Sequence, residues 1–136
     1  MKKGPEVYLD DIFDSIVLIE RYLQDVTEER FYEDTLVQDG VVRRFLIIGE
    51  AVKNLPSEIK ERYPDVKWKE IAGFRDVLMH AYGEVNYRRV WKVITDHMPR
   101  LKESIMEIRK SQGSEVRAAP DLRNNNKKTN TKKVFV

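Results

Sequence analysis

The sequence predicts an all-α protein, an antiparallel bundle of four to five helices. Along most of the first 110 residues, apolar side chains recur every three or four positions, which is the period of an amphipathic helix. Alternation at every second position is nearly absent, and the 136 residues include only 6 Gly and 5 Pro. We therefore expect one helical domain over residues 1–110, followed by a basic, disordered tail over residues 111–136.

Two apolar stripes define the first two long helices. The first predicts a helix from about Glu6 to Thr27, with Pro5 suited to its first turn. The second ends at Leu55, because the residue before Pro56 resists helical geometry. The first stripe consists of Leu9, Ile12, Ile16, Ile19, Leu23 and Val26, and the second of Val41, Phe45, Ile48, Val52 and Leu55.

The second half of the domain is predicted to hold a short helix and two longer ones. The short helix starts near Ser57 and is stopped by Pro64. The next runs from Trp68 to about Tyr82, with Gly83 as its stop, and the last runs from Tyr87 to about Lys110 after an Asn86 cap. Pro99 predicts a kink or break near Asp96–Met98. The expected core residues are Ile71, Phe74, Leu78, Val90, Ile94, Leu101, Ile105 and Ile108, with Val77 as a further candidate.

Composition excludes several classes of protein. The chain has no cysteine, so it has neither a disulfide framework nor a thiol nucleophile. No apolar run is long enough to span a membrane, and the N-terminus lacks the apolar core of a signal peptide, so we expect a cytoplasmic protein. Residues 111–136 carry six basic and two acidic side chains, whereas residues 1–110 carry 19 and 21. The basic character belongs to the tail and is no evidence that the body binds nucleic acid.

The segment from Arg75 to Tyr82 holds the most informative chemistry. It groups Arg75, Asp76, His80 and Tyr82 within eight residues, whereas the other histidine, His97, has no obvious partners. Arginine offers a fixed fork of donors that matches phosphate, and histidine exchanges a proton near neutral pH. These two side chains are sufficient for RNA cleavage without a metal ion. A purely structural role for a histidine near a helix end is the commoner alternative.

Helix geometry limits how this segment can work. At about 100° per residue, Arg75 and His80 point roughly 140° apart on a straight helix, whereas Arg75 and Tyr82 share a face. Either the helix ends near His80, or a two-fold-related copy of the chain completes the site. The second arrangement is a composite cleft at a homodimer interface.

Gly49 and Glu50 interrupt an apolar run in the second helix. Gly49 is expected to permit close helix packing. Glu50 is expected to be a buried carboxylate paired with Arg43 or Arg44, the alternative being a role near the cleft. The remaining carboxylates have no histidine at ligand spacing, and no glycine-rich phosphate loop is present. We therefore predict no metal site and no cofactor.

Four blocks of sequence resemble the HepT-like family of HEPN proteins, the toxin half of HepT–MNT toxin–antitoxin pairs. The first block is the R-x4-H-x-Y motif at Arg75, His80 and Tyr82, preceded by residues 68–74. The others are residues 43–51, which match an Arg-rich helix with a Gly-Glu-Ala sequence, residues 85–91 and residues 98–101. The resemblance covers about residues 6–109, the whole predicted domain.

The resemblance implies a dimeric HEPN bundle with Arg75 and His80 of both chains lining a cleft. It implies a metal-independent RNA endonuclease. On this basis we expect Arg75 to hold the scissile phosphate and His80 to transfer the proton, with Asp76, Glu50 and Arg44 as supporting residues. The alternative for Asp76 is an ordinary carboxylate on the helix surface. It also implies a partner, the MNT nucleotidyltransferase antitoxin, which transfers AMP from ATP to Tyr82.

The sequence raises two further questions about function. The first is whether the chain is instead a non-catalytic HEPN module that docks a nucleotidyltransferase or a nucleotide. The second is how a body with a slight negative charge holds RNA, since phosphate contacts supply most non-specific affinity. A local basic cleft built from Arg43, Arg44, Arg75, Arg88 and Arg89 would meet that need, above all if dimerisation doubled it.

Overall fold

A computed structural model describes residues 4–81 and 83–113. Within these ranges the chain forms seven α-helices and no strand, which confirms the all-α class. Their bounds are α1 Pro5–Tyr22, α2 Glu28–Phe31, α3 Thr35–Asn54, α4 Ser57–Arg62, α5 Trp68–Met79, α6 Tyr87–Asp96 and α7 Met98–Ser111. Tyr82 and the segment 114–136, with the predictions made for them, lie outside the described residues.

Five of these helices build most of the core. α3 packs on α1 and on α5, while α7 packs on α1 and on α6. Two ion pairs show that α1 and α7 are antiparallel, because Asp10 near the start of α1 meets Arg109 near the end of α7 and Glu20 meets Lys102 at the opposite ends. None of the helices in the described ranges is long and apolar enough to cross a membrane.

The first helix ends earlier than its stripe predicted. α1 stops at Tyr22, and Asp25 adopts a φ of 62°, in the left-handed region that breaks a helix and that aspartate tolerates better than most residues. Leu23 and Val26 are accordingly only partly buried. The chain then forms the short helix α2, which the sequence analysis missed and which Thr27 caps by accepting a hydrogen bond from the Arg30 N–H.

The second apolar stripe is confirmed in full, since all five of its members are buried. α3 starts behind an Asp34 cap and ends at Asn54, immediately before the Leu55–Pro56 step that was predicted to stop it. α4 is the short helix expected between Ser57 and Pro64.

In the last three helices, two of the sequence predictions are confirmed and two are wrong. Asn86 caps α6 through its side-chain oxygen, and the break predicted from Pro99 falls at His97, between α6 and α7. The expectation that α5 reaches Tyr82 is wrong, because the helix ends at Met79. The core assignment of Val77 is also wrong, since Val77 is 48% exposed, whereas the next residue, Leu78, is buried.

Candidate active site

The candidate site forms where α5 crosses the second half of α3. The two helices approach so closely that a Cβ atom added to Gly49 would lie 2.1 Å from the Cβ of Arg75. Gly49 therefore permits close helix packing, as predicted, and the side chain that packs against it is that of Arg75. Because no side chain larger than hydrogen fits there, the backbone of α3 fixes the base of the Arg75 side chain.

Two carboxylates hold the guanidinium of Arg75. Its Nη2 lies 2.8 Å from Oε2 of Glu50, and its Nη1 lies 3.0 Å from Oδ1 of Asp76. The arginine side chain is 19% exposed, whereas that of Glu50 is 55% exposed. The expectation that Glu50 is buried and paired with Arg43 or Arg44 is therefore wrong. Glu50 follows the buried Gly49 and points out of the α3–α5 contact, where Arg75 emerges.

Asp76 also binds a residue that the sequence analysis missed. Lys53 Nζ lies 2.9 Å from the same Oδ1 atom of Asp76. The hydrogen bond from Lys53, followed by the one from Arg75, holds the pKa of Asp76 below its usual value. Lys53 could have been found from its spacing, because it follows Glu50 by three residues and shares its helix face. We call Glu50, Lys53, Arg75 and Asp76 the Arg75 cluster.

His80 is the first residue after α5, so the helix ends near it, as in one of the two arrangements considered above. Its Nδ1 lies 2.8 Å from the backbone carbonyl oxygen of Asp76, which also accepts the His80 backbone N–H. A carbonyl oxygen can only accept, so Nδ1 donates, and the lone pair of the neutral ring is on Nε2. The ring is exposed. His80 can therefore take up a proton at Nε2 while Asp76 fixes its orientation.

The structure thus joins four of the predicted site residues and leaves Arg44 apart from them. Asp76 links Arg75 to His80, through its carboxylate on one side and its carbonyl on the other, and Glu50 completes the arginine's contacts. Arg44 is half-buried, and in the described ranges it forms no ion pair with the Arg75 cluster. Tyr82, the sixth, is not among the described residues.

The charge of the Arg75 cluster is balanced, with two cations and two carboxylates. Arg88 and Arg89, which were expected to add to a basic cleft, lie over the aromatic rings of Tyr32 and Phe74, at 5.0 and 5.8 Å from the ring centres. In the part of the chain that the structure describes, no group of three or more acidic or histidine side chains is placed to hold a metal ion.

Comparison with known proteins gives one family and several relatives. Residues 12–108 match the family described as "Ribonuclease HepT-like". A Methanocaldococcus jannaschii protein named "Gamma-glutamylcyclotransferase and putative RNase" is 45% identical over 108 residues, which cover 79% of this chain and 49% of that protein. The chain thus spans about half the length of that relative. No solved structure gives a significant match.

Two shorter relatives align over nearly their whole length. The "Probable ribonuclease HepT" of Thermococcus cleftensis is 40% identical over 110 residues, which cover 81% of this chain and 100% of that protein. The "Putative RNase" of Caldanaerobacter subterraneus is 42% identical over 106 residues, covering 78% and 95%. The matched region contains α3, α5 and α6, most of α1 and α7, and the whole Arg75 cluster. The chain therefore belongs to the HepT-like ribonuclease family, whose fold is the HEPN helical bundle.

Proposed function

We propose that this chain is a metal-independent RNA endonuclease with Arg75 and His80 as its catalytic residues. The observation that carries the proposal is the double role of Asp76, which holds the guanidinium of Arg75 with its carboxylate and the imidazole of His80 with its carbonyl oxygen. A phosphate-binding group and a proton-transfer group are thus oriented by one residue, which is the preorganisation that acid–base catalysis requires. The names of the relatives support the same activity.

The proposed reaction is an in-line attack within the RNA. Nε2 of His80 takes the proton of a ribose 2′-hydroxyl, and the 2′-oxygen forms a bond to the adjacent phosphorus. The guanidinium of Arg75 stabilises the negative charge that builds up on the phosphoryl oxygens. The bond to the 5′-oxygen breaks, and that oxygen receives a proton from a second acid. The products are a 2′,3′-cyclic phosphate and a 5′-hydroxyl.

A homodimer would supply the second acid, since the partner subunit's His80 can give a proton to the leaving oxygen. Exposed apolar side chains beside the site support such an interface. Val77 and Met79 are 48% and 47% exposed, and both lie between Arg75 and His80 in the last turn of α5. A two-fold axis at this end of α5 would bury them and bring two Arg75 clusters together.

Glu50, Asp76 and Arg44 are proposed to support the site in different ways. Glu50 and Asp76 restrict the guanidinium of Arg75 to one orientation. The exposed Glu50 is the contact that a phosphate would replace, because Asp76 is also held by Lys53. Arg44 would act at longer range, by adding positive charge to the surface of α3.

We further propose that the chain is the toxin of a HepT–MNT toxin–antitoxin pair and that the antitoxin silences it by modifying Tyr82. The tyrosine oxygen would attack the α-phosphorus of ATP, forming a phosphodiester and releasing pyrophosphate. Tyr82 follows His80 by two residues, so the added AMP would place a negative charge and considerable bulk beside the catalytic histidine. RNA and the nucleotidyltransferase are thus the proposed partners.

RNA cleavage by purified variants tests the proposed activity. The wild type should cleave RNA in the presence of EDTA, and Arg75→Ala and His80→Ala should each lower the rate by about a hundredfold or more while the helical circular dichroism is retained. His97→Ala and Arg62→Ala are matched controls, because both side chains are exposed and neither contacts the Arg75 cluster within the described ranges. Equal loss in the controls, or wild-type activity in His80→Ala, would overturn the assignment.

Intact mass tests the proposed silencing. Co-expression with an MNT-type nucleotidyltransferase should add AMP to the wild type and not to Tyr82→Phe, and only the unmodified protein should cleave RNA. Expression without the partner should arrest growth, and His80→Ala should relieve the arrest.

The balanced charge of the Arg75 cluster favours a second candidate, a non-catalytic module that docks a nucleotidyltransferase. An electrically neutral site gives RNA little long-range attraction. A stable complex of the two proteins, without cleavage of RNA by any unmodified sample, would support this candidate over the ribonuclease.

A further inference from the structure

A cavity of about 350 Å³ lies on the side of the α3–α5 pair that faces α6 and α7. It is bounded by the first half of α5, the middle of α3, and the helices α6 and α7. None of the residues of the Arg75 cluster lines it. The proposed ribonuclease chemistry therefore makes no use of this space.

The interior of the cavity is apolar. Phe45, Ile48 and Phe74 form a floor that is buried in the core, whereas Ile71 and Leu101 are only half-buried and leave apolar surface open to a bound molecule. The volume is at the lower end of the range of about 300–1,000 Å³ that is typical of small-molecule sites. An apolar body of modest size can therefore be buried here at a gain in free energy.

The rim of the cavity is positively charged. Four cationic side chains line it against the two carboxylates of Asp65 and Glu70. Those four are Lys67, Arg89, Lys92 and Arg100. Among the described residues none of them forms a salt bridge, in contrast to Arg75 and Lys53, and Arg89 instead lies over the ring of Phe74. The four cations outnumber the two carboxylates, and an excess of positive charge beside an apolar wall attracts an anion.

We propose that this cavity binds a small organic anion that combines an apolar body with one carboxylate, sulfonate or phosphate group. The apolar body would lie on Phe74, Ile71 and Leu101, and the anionic group would meet Lys92 and Arg100 at the rim. The net positive rim disfavours cationic ligands, and the apolar wall disfavours ions without an apolar part. This site goes beyond the proposed ribonuclease function and does not depend on it.

Fluorescence titration with 8-anilinonaphthalene-1-sulfonate tests the proposal on the full chain, because this probe has an apolar body and one sulfonate. N-phenyl-1-naphthylamine is the matched neutral probe. We expect saturable binding of the sulfonate at one site per chain. The double variant Lys92→Gln/Arg100→Gln should weaken the binding of the sulfonate by about tenfold or more and leave that of the neutral probe nearly unchanged.

Two further variants separate the contribution of charge to ligand binding from that of the shape of the cavity. Lys69→Gln/Arg62→Gln removes the same charge from exposed positions outside the cavity and should not change either affinity. Leu101→Trp should fill the cavity and weaken both probes. The proposal is overturned if the wild type shows no saturable binding, or if the rim and control variants bind the sulfonate equally. It is also overturned if affinity falls as protein concentration rises, since a second copy of the chain would then cover the cavity.

Discussion

Arg75 is the residue on which the proposed activity depends most, and it is not free to bind phosphate without a change of partner. Glu50 and Asp76 already hold its guanidinium at 2.8 and 3.0 Å. Asp76 also forms an ion pair with Lys53, whereas Glu50 has a half-exposed side chain and is the contact that RNA would displace in the proposed reaction. We therefore expect Asp76 to keep the guanidinium of Arg75 in place and Glu50 to compete with phosphate for it.

Replacing Glu50 by Gln separates these roles, since the amide keeps the size of the side chain and an oxygen acceptor but removes the charge. In a His80→Ala background, the affinity for single-stranded RNA should rise by roughly two- to fivefold, the range expected for an exposed ion pair. Fluorescence anisotropy measures the change. Glu58→Gln, an exposed carboxylate on α4, is the matched control. Weaker binding by Glu50→Gln, or an equal gain in both variants, would contradict the competitor role.

The contacts of Asp76 predict a dependence of stability on pH. Lys53 and then Arg75 lower the pKa of Asp76 in the folded protein below its usual value of 3.8. The ionised carboxylate therefore adds stability above that value, and this contribution is lost as the pH falls through the lower pKa of the folded state. Urea denaturation should find the wild type more stable than Asp76→Asn at pH 7, with a difference that shrinks at pH 3. A constant difference would contradict this account.

At the scale of elements, the site depends on the contact between α3 and α5. Gly49→Ala would place a Cβ 2.1 Å from that of Arg75, so the helices must separate, at a cost of about 1–3 kcal/mol. Gly73→Ala is the matched control on α5, because its added Cβ meets nothing within 4 Å and it should gain up to about 1 kcal/mol from helix propensity. Chemical denaturation should thus show changes of opposite sign, and RNA cleavage should fall only in Gly49→Ala. Equal stability changes would show that the close approach is not needed.

The elements also show where the sequence is informative. Pro56, Asn86 and Pro99 act through local geometry, so the end of α3, the start of α6 and the break after it were predictable. The end of α1 was not, because its apolar spacing continues past the left-handed Asp25. The sequence predicted the motif residues but not the pairing of Glu50 with Arg75 or of Lys53 with Asp76, which depends on how α5 crosses α3.

For the whole molecule, the main prediction concerns the proposed homodimer. Val77→Asp would place a charge on the exposed apolar surface beside the site and should shift the protein from twice the chain mass to the chain mass of 16.1 kDa. Light scattering after gel filtration measures the mass. Leu36→Asp is the matched control, since Leu36 is 82% exposed at the start of α3. The interface is elsewhere if Val77→Asp remains dimeric or if both variants dissociate.

If Arg75 and His80 form a ribonuclease site, the proposed reaction determines which chemical groups are left at the ends of the cleaved RNA. The most direct test uses two substrates, a short RNA and the same oligonucleotide with 2′-deoxyribose throughout. Each is incubated with the wild-type protein in the presence of EDTA, and the ends of any cleavage products are identified. The account predicts 2′,3′-cyclic phosphate and 5′-hydroxyl ends from the RNA, an intact deoxy oligonucleotide, and no cleavage of either by folded His80→Ala. Cleavage of the deoxy oligonucleotide, 3′-hydroxyl ends, or an active His80→Ala protein would contradict it.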